Sequence, residues 1–330
     1  MNHERQMRNY QNCQRNVPEQ YRQPVRGFIG RSLIGSLEDV DYVPGAHIRI
    51  WYNCHMEGYD SHHHSAIEII TCVENGYTVY SCDRTYVLNT NDILIIPPGL
   101  LHRLPGGKQG ARFIFLIDPA PLEGLREVVS ALAPLFVAPM LISASGGSNL
   151  YTRIHDLLMH MVSVYFENKS MWELKIYADL FSLYSAIGSH HFEDSNNILS
   201  TEGNGSTNYD KFTDLMKYLD AHYSEEITLE TAADFVGFSK FHFTRLFKVY
   251  AGTTFHDVLR RKRILAAQRL LSTGASVTDV AFQTGFTSLA SFGRCFKKQT
   301  GMTPSEYRAM RESFSGHISN FTTESTPVKE

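Results

Sequence analysis

The chain of 330 residues lacks any run of about 18 consecutive apolar residues, the length needed to cross a bilayer, so no membrane span is expected. Its first residues, MNHERQMRNYQNCQRN, are polar and contain no apolar core of the kind a secretory signal needs, so a cytoplasmic location is expected. Cysteine is scarce: Cys13, Cys54, Cys72, Cys82 and Cys295 are scattered and odd in number. That argues against a disulfide framework, and no C-x-x-C pair suggests a zinc or redox motif. Acidic residues are scarce in one region. Eleven Lys or Arg between residues 240 and 298 face only Asp257 and Asp279, in a chain whose overall net charge is −3. A local basic block of that size suits a polyanionic partner or, alternatively, a solvated helix face.

What is present falls into segments. Residues 1–26 read as a polar, loosely ordered tail. From about 47 to 117, HIRIWYN, AIEIITCV, YTVYSC, TYVL, DILIIP and RFIFLI are short runs rich in β-branched and aromatic residues, separated by ENGY, SCDRT, NTND and PPG. Six to eight short strands at this spacing imply a sandwich or small barrel, assigned here to residues 27–145. Residues 146–192 change period. Ile154, Leu157, Leu158, Met161, Val162 and Tyr165 fall on one helical stripe, and Leu174, Tyr177, Leu180, Phe181 and Tyr184 on another. The pair suits a dimer interface or packing within the chain. Residues 193–208, EDSNNILSTEGNGSTN, have little to bury and read as a linker. Residues 209–310 are helical in pattern, and 311–330 read as a disordered tail.

The helical region contains a repeat. ITLETAADFVGFSKFHFTRLFKVYAG starts at 227 and SVTDVAFQTGFTSLASFGRCFKKQTG at 276. Thr228 and Ser276 can cap a first helix, and Ser239 and Ser288 a second. Ala233 and Ala281 allow close helix crossing, and Gly237 and Gly285 allow the left-handed turn between. This is a helix-turn-helix written twice. In the first copy Phe243, Leu246 and Phe247 take the core face, which turns Lys240, Phe241, Thr244, Arg245 and Lys248 outward. The corresponding outward set in the second copy is Leu289, Ala290, Gly293, Arg294 and Lys297, poorer in base-reading chemistry. TFHDVLRRKRILAAQRLLSTG reads as a bridging helix of roughly 18 residues, about 27 Å long, with Arg260, Arg261 and Lys262 as phosphate-contact candidates.

With FSKFHFTRLFK, LRRKRILAAQRLL and VAFQTGFTSLASFGRCFKKQTGMTPSEYR, the chain resembles the AraC-type bacterial transcription regulators over residues 209–310. The resemblance implies promoter double-stranded DNA as partner, with base contacts from Phe241, Thr244, Arg245, Ala290 and Arg294. It further implies transcription activation through RNA polymerase, while a homodimer is expected from the helix pair at 146–192. Residues 47–117 look like the cupin-type sensor domain many such regulators carry. His62, His64 and Glu68, followed by Pro97, Gly99 and His102, follow the cupin pattern His-x-His-x-x-x-Glu and Pro-x-Gly-x-x-His.

On one unbroken strand His62, His64 and Glu68 would share a face and His63 would point away. Three imidazoles and a carboxylate suit a divalent transition metal, the polar groups of an organic effector, or one another. Trp51, Tyr77 and Tyr80 are either core or a stacking surface for a sugar-like effector. The expected fold is therefore two-domain α+β: an N-terminal cupin-like β-sandwich or barrel with helices, and a C-terminal all-α double helix-turn-helix. The expected function is a small-molecule-controlled, sequence-specific DNA-binding regulator, non-enzymatic and needing no cofactor. The alternative is a metal-dependent cupin enzyme, or a metal sensor, with a DNA-binding tail.

Overall fold

A computed structural model describes residues 17–24, 32–34, 36–43, 45–54, 58–81, 84–106, 110–122, 138–199, 205–251 and 253–309. Residues 1–16 of the expected N-terminal tail at 1–26, and all of the expected tail at 311–330, lie outside the described residues. Strands β1 (Ser32–Ile34) and β2 (Leu37–Asp39) form a hairpin. Strands β3 (Ile48–Asn53), β5 (Ile67–Glu74), β8 (Ile93–Ile96), β10 (Ala111–Ile117) and β11 (Met140–Ile142) form one sheet in the order β11-β8-β5-β10-β3. Strands β4 (Tyr59–His62), β6 (Tyr77–Ser81), β7 (Arg84–Leu88) and β9 (His102–Leu104) form a second, in the order β4-β9-β6-β7. Every pairing within these two sheets is antiparallel.

The larger sheet is buried on both faces, so its strands read as near-continuous apolar runs rather than alternating ones. One face presents Ile48, Ile50, Ile67, Ile69, Ile93, Ile95, Phe113 and Phe115 to helices α1 (Asn149–Glu167) and α2 (Trp172–Leu199). The other presents Ile70, Cys72, Leu94 and Ile96 to Tyr77, Val79, Leu88 and Leu104 of the smaller sheet. The stripe on α1 is the expected one: Ile154, Leu158, Met161, Val162 and Tyr165 are buried. On α2 the stripe is rotated. Ile176, Leu180, Leu183 and Ile187 join Tyr177 and Tyr184 in the core, while Leu174 stays 61% exposed. Both helices thus spend their apolar faces on their own sheet.

Two segment boundaries differ from expectation. The polar N-terminal segment is not wholly loose, because Tyr21 stacks on Tyr52 at 5.1 Å and meets Phe113 edge-on at 5.0 Å. Gln23 adds a donor to Ile50 O at 2.7 Å and accepts from the Tyr165 hydroxyl at 2.8 Å. One buried aromatic outweighs the polar residues around it. The expected linker at 193–208 is helical at both ends, since α2 continues to Leu199 and α3 (Gly205–His222) opens four residues before its predicted start. The segment 193–199 contains no proline. Once a helix is nucleated, Ser and Asn cost only about half a kcal/mol each and do not stop it.

Helices α4 (Leu229–Val236) and α5 (Lys240–Ala251) form the first helix-turn-helix, and α7 (Val277–Gln283) and α8 (Leu289–Thr300) the second. Thr228 caps α4 in a reciprocal capping box with Thr231, Ser276 caps α7, and Ser288 caps α8. Ser239 Oγ accepts from His242 N at the start of α5. Gly237 and Gly285 both take positive φ, +74° and +80°. Only glycine fits at Gly285 for a second reason, since a Cβ there would lie 2.6 Å from Ser224 O. The bridging helix α6 (Phe255–Ser272) has the expected 18 residues, is capped by Thr254, and buries Leu259, Ile264, Ala267 and Leu271.

Candidate nucleic-acid interface and a buried histidine–carboxylate site

The two second helices of the repeat sort as their spacing requires. Phe243, Leu246 and Phe247 are buried on α5, as are Phe292 and Phe296 on α8. Lys240, Phe241, Thr244, Arg245 and Lys248 face solvent, as do Leu289, Ala290, Arg294 and Lys297. Phe241 is 82% exposed, beside Arg245. An uncovered phenyl ring on a basic helix costs solvation and suits contact with thymine methyls in a major groove. Lys240 is engaged with Glu230 of α4, and Thr244 donates its hydroxyl back to Lys240 O at 2.8 Å.

The basic triplet on α6 is divided. Arg261 is buried and donates to Pro98 O at 2.6 Å, and Lys262 pairs with Asp220. Those two cations hold the structure together. Only Arg260 stays at the surface, paired with Asp257 at 2.9 Å.

The second site lies between the sheets. His62, His64 and Glu68 do not share one strand, contrary to the strand reading of this stretch. β4 ends at His62 in the smaller sheet and β5 begins at Ile67 in the larger one. The chain crosses between sheets at His63–Ala66, and the crossover is what brings the side chains together. His102 opens β9 directly opposite His62, with ring centroids 4.1 Å apart. The turn before it needs Gly99 at φ +72°, whose N–H donates to His64 O at 2.7 Å. His62, His64, Glu68 and His102 are all buried, and one ligand atom from each can be chosen so that all lie within 4.8 Å of one another.

The hydrogen bonding orients all three rings the same way. Nδ1 of His62 lies 2.8 Å from Asp60 O, that of His64 3.1 Å from Ala66 O, and that of His102 2.8 Å from Leu100 O. A carbonyl oxygen only accepts, so each Nδ1 carries a proton and each ring turns its Nε2 inward, as a lone pair when the ring is neutral and as an N–H donor when it is protonated. Two of those nitrogens face the Glu68 carboxylate: His64 Nε2 at 3.3 Å and His102 Nε2 at 2.8 Å. His102 Nε2 makes no well-aligned hydrogen bond despite that distance. Lone pairs opposed to a buried carboxylate repel unless a cation, a proton or a metal ion, lies among them. Burial opposes charge on Glu68, but the imidazoles of His102 and His64 outweigh it and hold its carboxyl well below the usual range. Burial likewise opposes protonation of His64, and the hydrogen bond and charge of Glu68 reverse that, raising it. The residues therefore fit a divalent transition metal held by three imidazoles and one carboxylate, with the backbone carbonyls fixing the rings.

Sequence reasoning missed Glu38. It sits on β2, and its carboxylate reaches 3.4 Å from His62 Nε2. Nothing in the spacing of a distant hairpin signals that contact. The outward-pointing His63 is as expected, but it is buried rather than solvated. It stacks on Tyr307 of the helical domain at 6.4 Å, and burial pushes its pKa down to about 4.

The expected aromatic platform does not assemble. Tyr77 and Tyr80 are an odd number of residues apart on β6, so they lie on opposite faces. Tyr77 is core under the Arg112 guanidinium at 3.7 Å, and Trp51 packs with Ala66, Ile114 and Leu116. Tyr80 is exposed, with Arg103 over its ring at 4.6 Å.

The β domain also touches the helical domain around this site. Leu37 of the β1–β2 hairpin enters the core formed by Ile264, Phe292 and Phe296, and Ser36 Oγ donates to Thr300 O. The loop carrying Pro98 and Gly99 receives Arg261 and meets Leu265.

Comparison with known proteins completes the assignment. The AraC-like ligand binding domain model matches residues 45–183, and a helix-turn-helix domain model matches 232–310. The probable transcription factor PqrA of Proteus vulgaris is 38% identical over 98 residues, 29% of this chain and 80% of that protein. The chain belongs to the AraC-type transcription regulators. As an AraC-type regulator it also resembles an uncharacterized HTH-type transcriptional regulator of Staphylococcus aureus (strain COL), 38% identical over 105 residues, 32% of this chain. The chain spans only 14% of the length of that relative.

Among solved structures, the DNA-binding domain of AdpA in complex with a target DNA is 31% identical, covering 32% of this chain and 96% of that one, at a TM-score of 0.31. ToxT from Vibrio cholerae O395, bound to (E)-4-(8-methylnaphthalen-1-yl)but-3-enoic acid, is 13% identical, covering 80% of this chain and 98% of that one, at a TM-score of 0.40. Among the described residues no helix is long and apolar enough to cross a membrane.

Proposed function

We propose that this AraC-type regulator reads promoter DNA with α5 and α8 and senses a divalent transition metal held by His62, His64, Glu68 and His102. The observation that carries the metal reading is the common orientation of the three rings, each Nδ1 tied to a backbone carbonyl and each Nε2 turned inward. When bound, the metal supplies the positive charge that the inward lone pairs and the Glu68 carboxylate call for. His102 is carried by the loop that receives Arg261, and Glu38, beside His62, is carried by the hairpin that seats Leu37 in the helical domain. Tightening either support favours one domain arrangement over another, which is the differential interaction a switch requires. A sugar-like effector between the sheets loses the support of the aromatic trio, because Trp51, Tyr77 and Tyr80 occupy three different surroundings. Homodimer assembly through the outer surfaces of α1 and α2, where Leu174 stays exposed, and activation through RNA polymerase complete the proposal.

The two recognition helices differ in chemistry, and that gives the test of the DNA reading. α5 offers Phe241, Thr244 and Arg245, whereas α8 offers Leu289, Ala290 and Arg294. In a selection from random DNA followed by base-by-base substitution, positions under α5 should tolerate fewer changes than those under α8. An even tolerance profile would refute base reading concentrated in the first copy.

A further inference from the structure

We infer that a cleft between the two domains is a binding site for a small, multiply charged anion, such as a hydroxylated organic phosphate or a polycarboxylate. The cleft measures about 640 Å³, within the range of small-molecule sites. One wall comes from β6, β7 and β9, the other from α6 and α8, and His102 lies on its lining. Arg84, Arg103, Arg260, Arg261 and Lys298 line it against a single carboxylate, Asp257, a net +4 in a chain whose overall charge is −3.

That carboxylate is already engaged. Asp257 accepts from the Thr254 hydroxyl at 2.6 Å and from Arg260 Nη2 at 2.9 Å. Arg84 and Arg103 have no carboxylate partner among the described residues, and Arg103 is instead laid over the exposed ring of Tyr80. Two guanidiniums on the cleft lining without a carboxylate partner are the planar, bidentate donors that phosphate and carboxylate groups select. Lys298 and Arg260 supply charge from the opposite wall.

Polar walls with four net positive charges disfavour a long apolar tail. They favour a compact molecule with two or more negative charges. Such a ligand touches both domains at once, so its affinity depends on how they are arranged, and by linkage it biases that arrangement.

Calorimetric titration of the full chain, dialysed free of metal, tests this separately from the metal reading. The probes are glucose 6-phosphate, tricarballylate, inorganic phosphate, glucose and decanoate. Saturable binding of glucose 6-phosphate or tricarballylate is expected, at least about ten-fold tighter than inorganic phosphate or glucose and weakening with salt. The tighter of the two identifies the phosphate or the carboxylate source. The double variant Arg84→Gln/Arg103→Gln should bind that probe about ten-fold more weakly or worse, with an unchanged melting profile in buffer, since both residues are exposed. The proposal is overturned by no saturable binding of either polyanion, by unchanged affinity in the double variant, or by a preference for decanoate. It is equally overturned if the double variant loses DNA affinity while probe binding stays the same, because the arginines would then be phosphate-backbone contacts.

Discussion

Full-length protein stripped by a chelator is expected to melt roughly 5–10 °C below the same protein reloaded with zinc, manganese, iron or nickel. The expectation follows from linkage: a ligand that binds only the native state at about 100 times its Kd adds about 2.7 kcal/mol. For a domain of roughly 150 residues that is worth roughly 3 °C per kcal/mol. The effect should be confined to the β-domain transition, where His62, His64, Glu68 and His102 are buried together. His102→Ala should erase the metal-dependent shift, since it removes one of the three inward nitrogens and its contact with Glu68 at 2.8 Å. Differential scanning calorimetry of the two proteins with and without each metal reads the result. Identical melting with and without all four metals would sink the metal site.

Arg245→Ala is expected to weaken binding to the cognate DNA site by about 1–3 kcal/mol, roughly 5- to 150-fold, and to relax sequence preference at one position. Arg245 is exposed one helical turn from Phe241, on the face opposite Phe243 and Phe247, so its truncation leaves the α5 core intact. Lys248 lies on the same face and serves as the control. A phosphate contact should weaken cognate and random DNA alike and reduce the salt slope by about one. Fluorescence anisotropy on both DNAs separates the two roles. Equal losses on cognate and random DNA for Arg245→Ala would remove its base-reading role.

Much of this was legible from local patterns. The duplicated Ala-x-x-x-Gly-Phe spacing led to both helix-turn-helix units, because caps, turn glycines and core faces are all set within a dozen residues. The strand runs from 47 to 117 led to the sandwich for the same reason. What escaped was long-range. His62, His64 and Glu68 were expected to meet through the parity of one strand, and they meet instead through a crossover between two sheets. The residue pattern picked out side chains that do lie together, but the backbone path that joins them depends on sheet order. Glu38 beside His62, Arg261 on Pro98 O and Leu37 in the helical core are contacts between segments far apart in sequence, which no periodicity encodes. The segment 193–199 departs from the expected linker because polar composition does not by itself mean irregular backbone, and such residues continue a helix already formed.

In the proposed switch, metal occupancy of the histidine–carboxylate site is coupled to DNA binding through the hairpin and the Pro98 loop. The most direct measurement is the affinity of the full chain for its selected DNA site, taken with the chelated and the metal-loaded protein at one salt concentration. The expected Kd values differ by at least about five-fold, the lower end of typical allosteric coupling. The difference should vanish in His64→Ala and Glu68→Gln. Superimposable binding curves for chelated and metal-loaded wild type would contradict it.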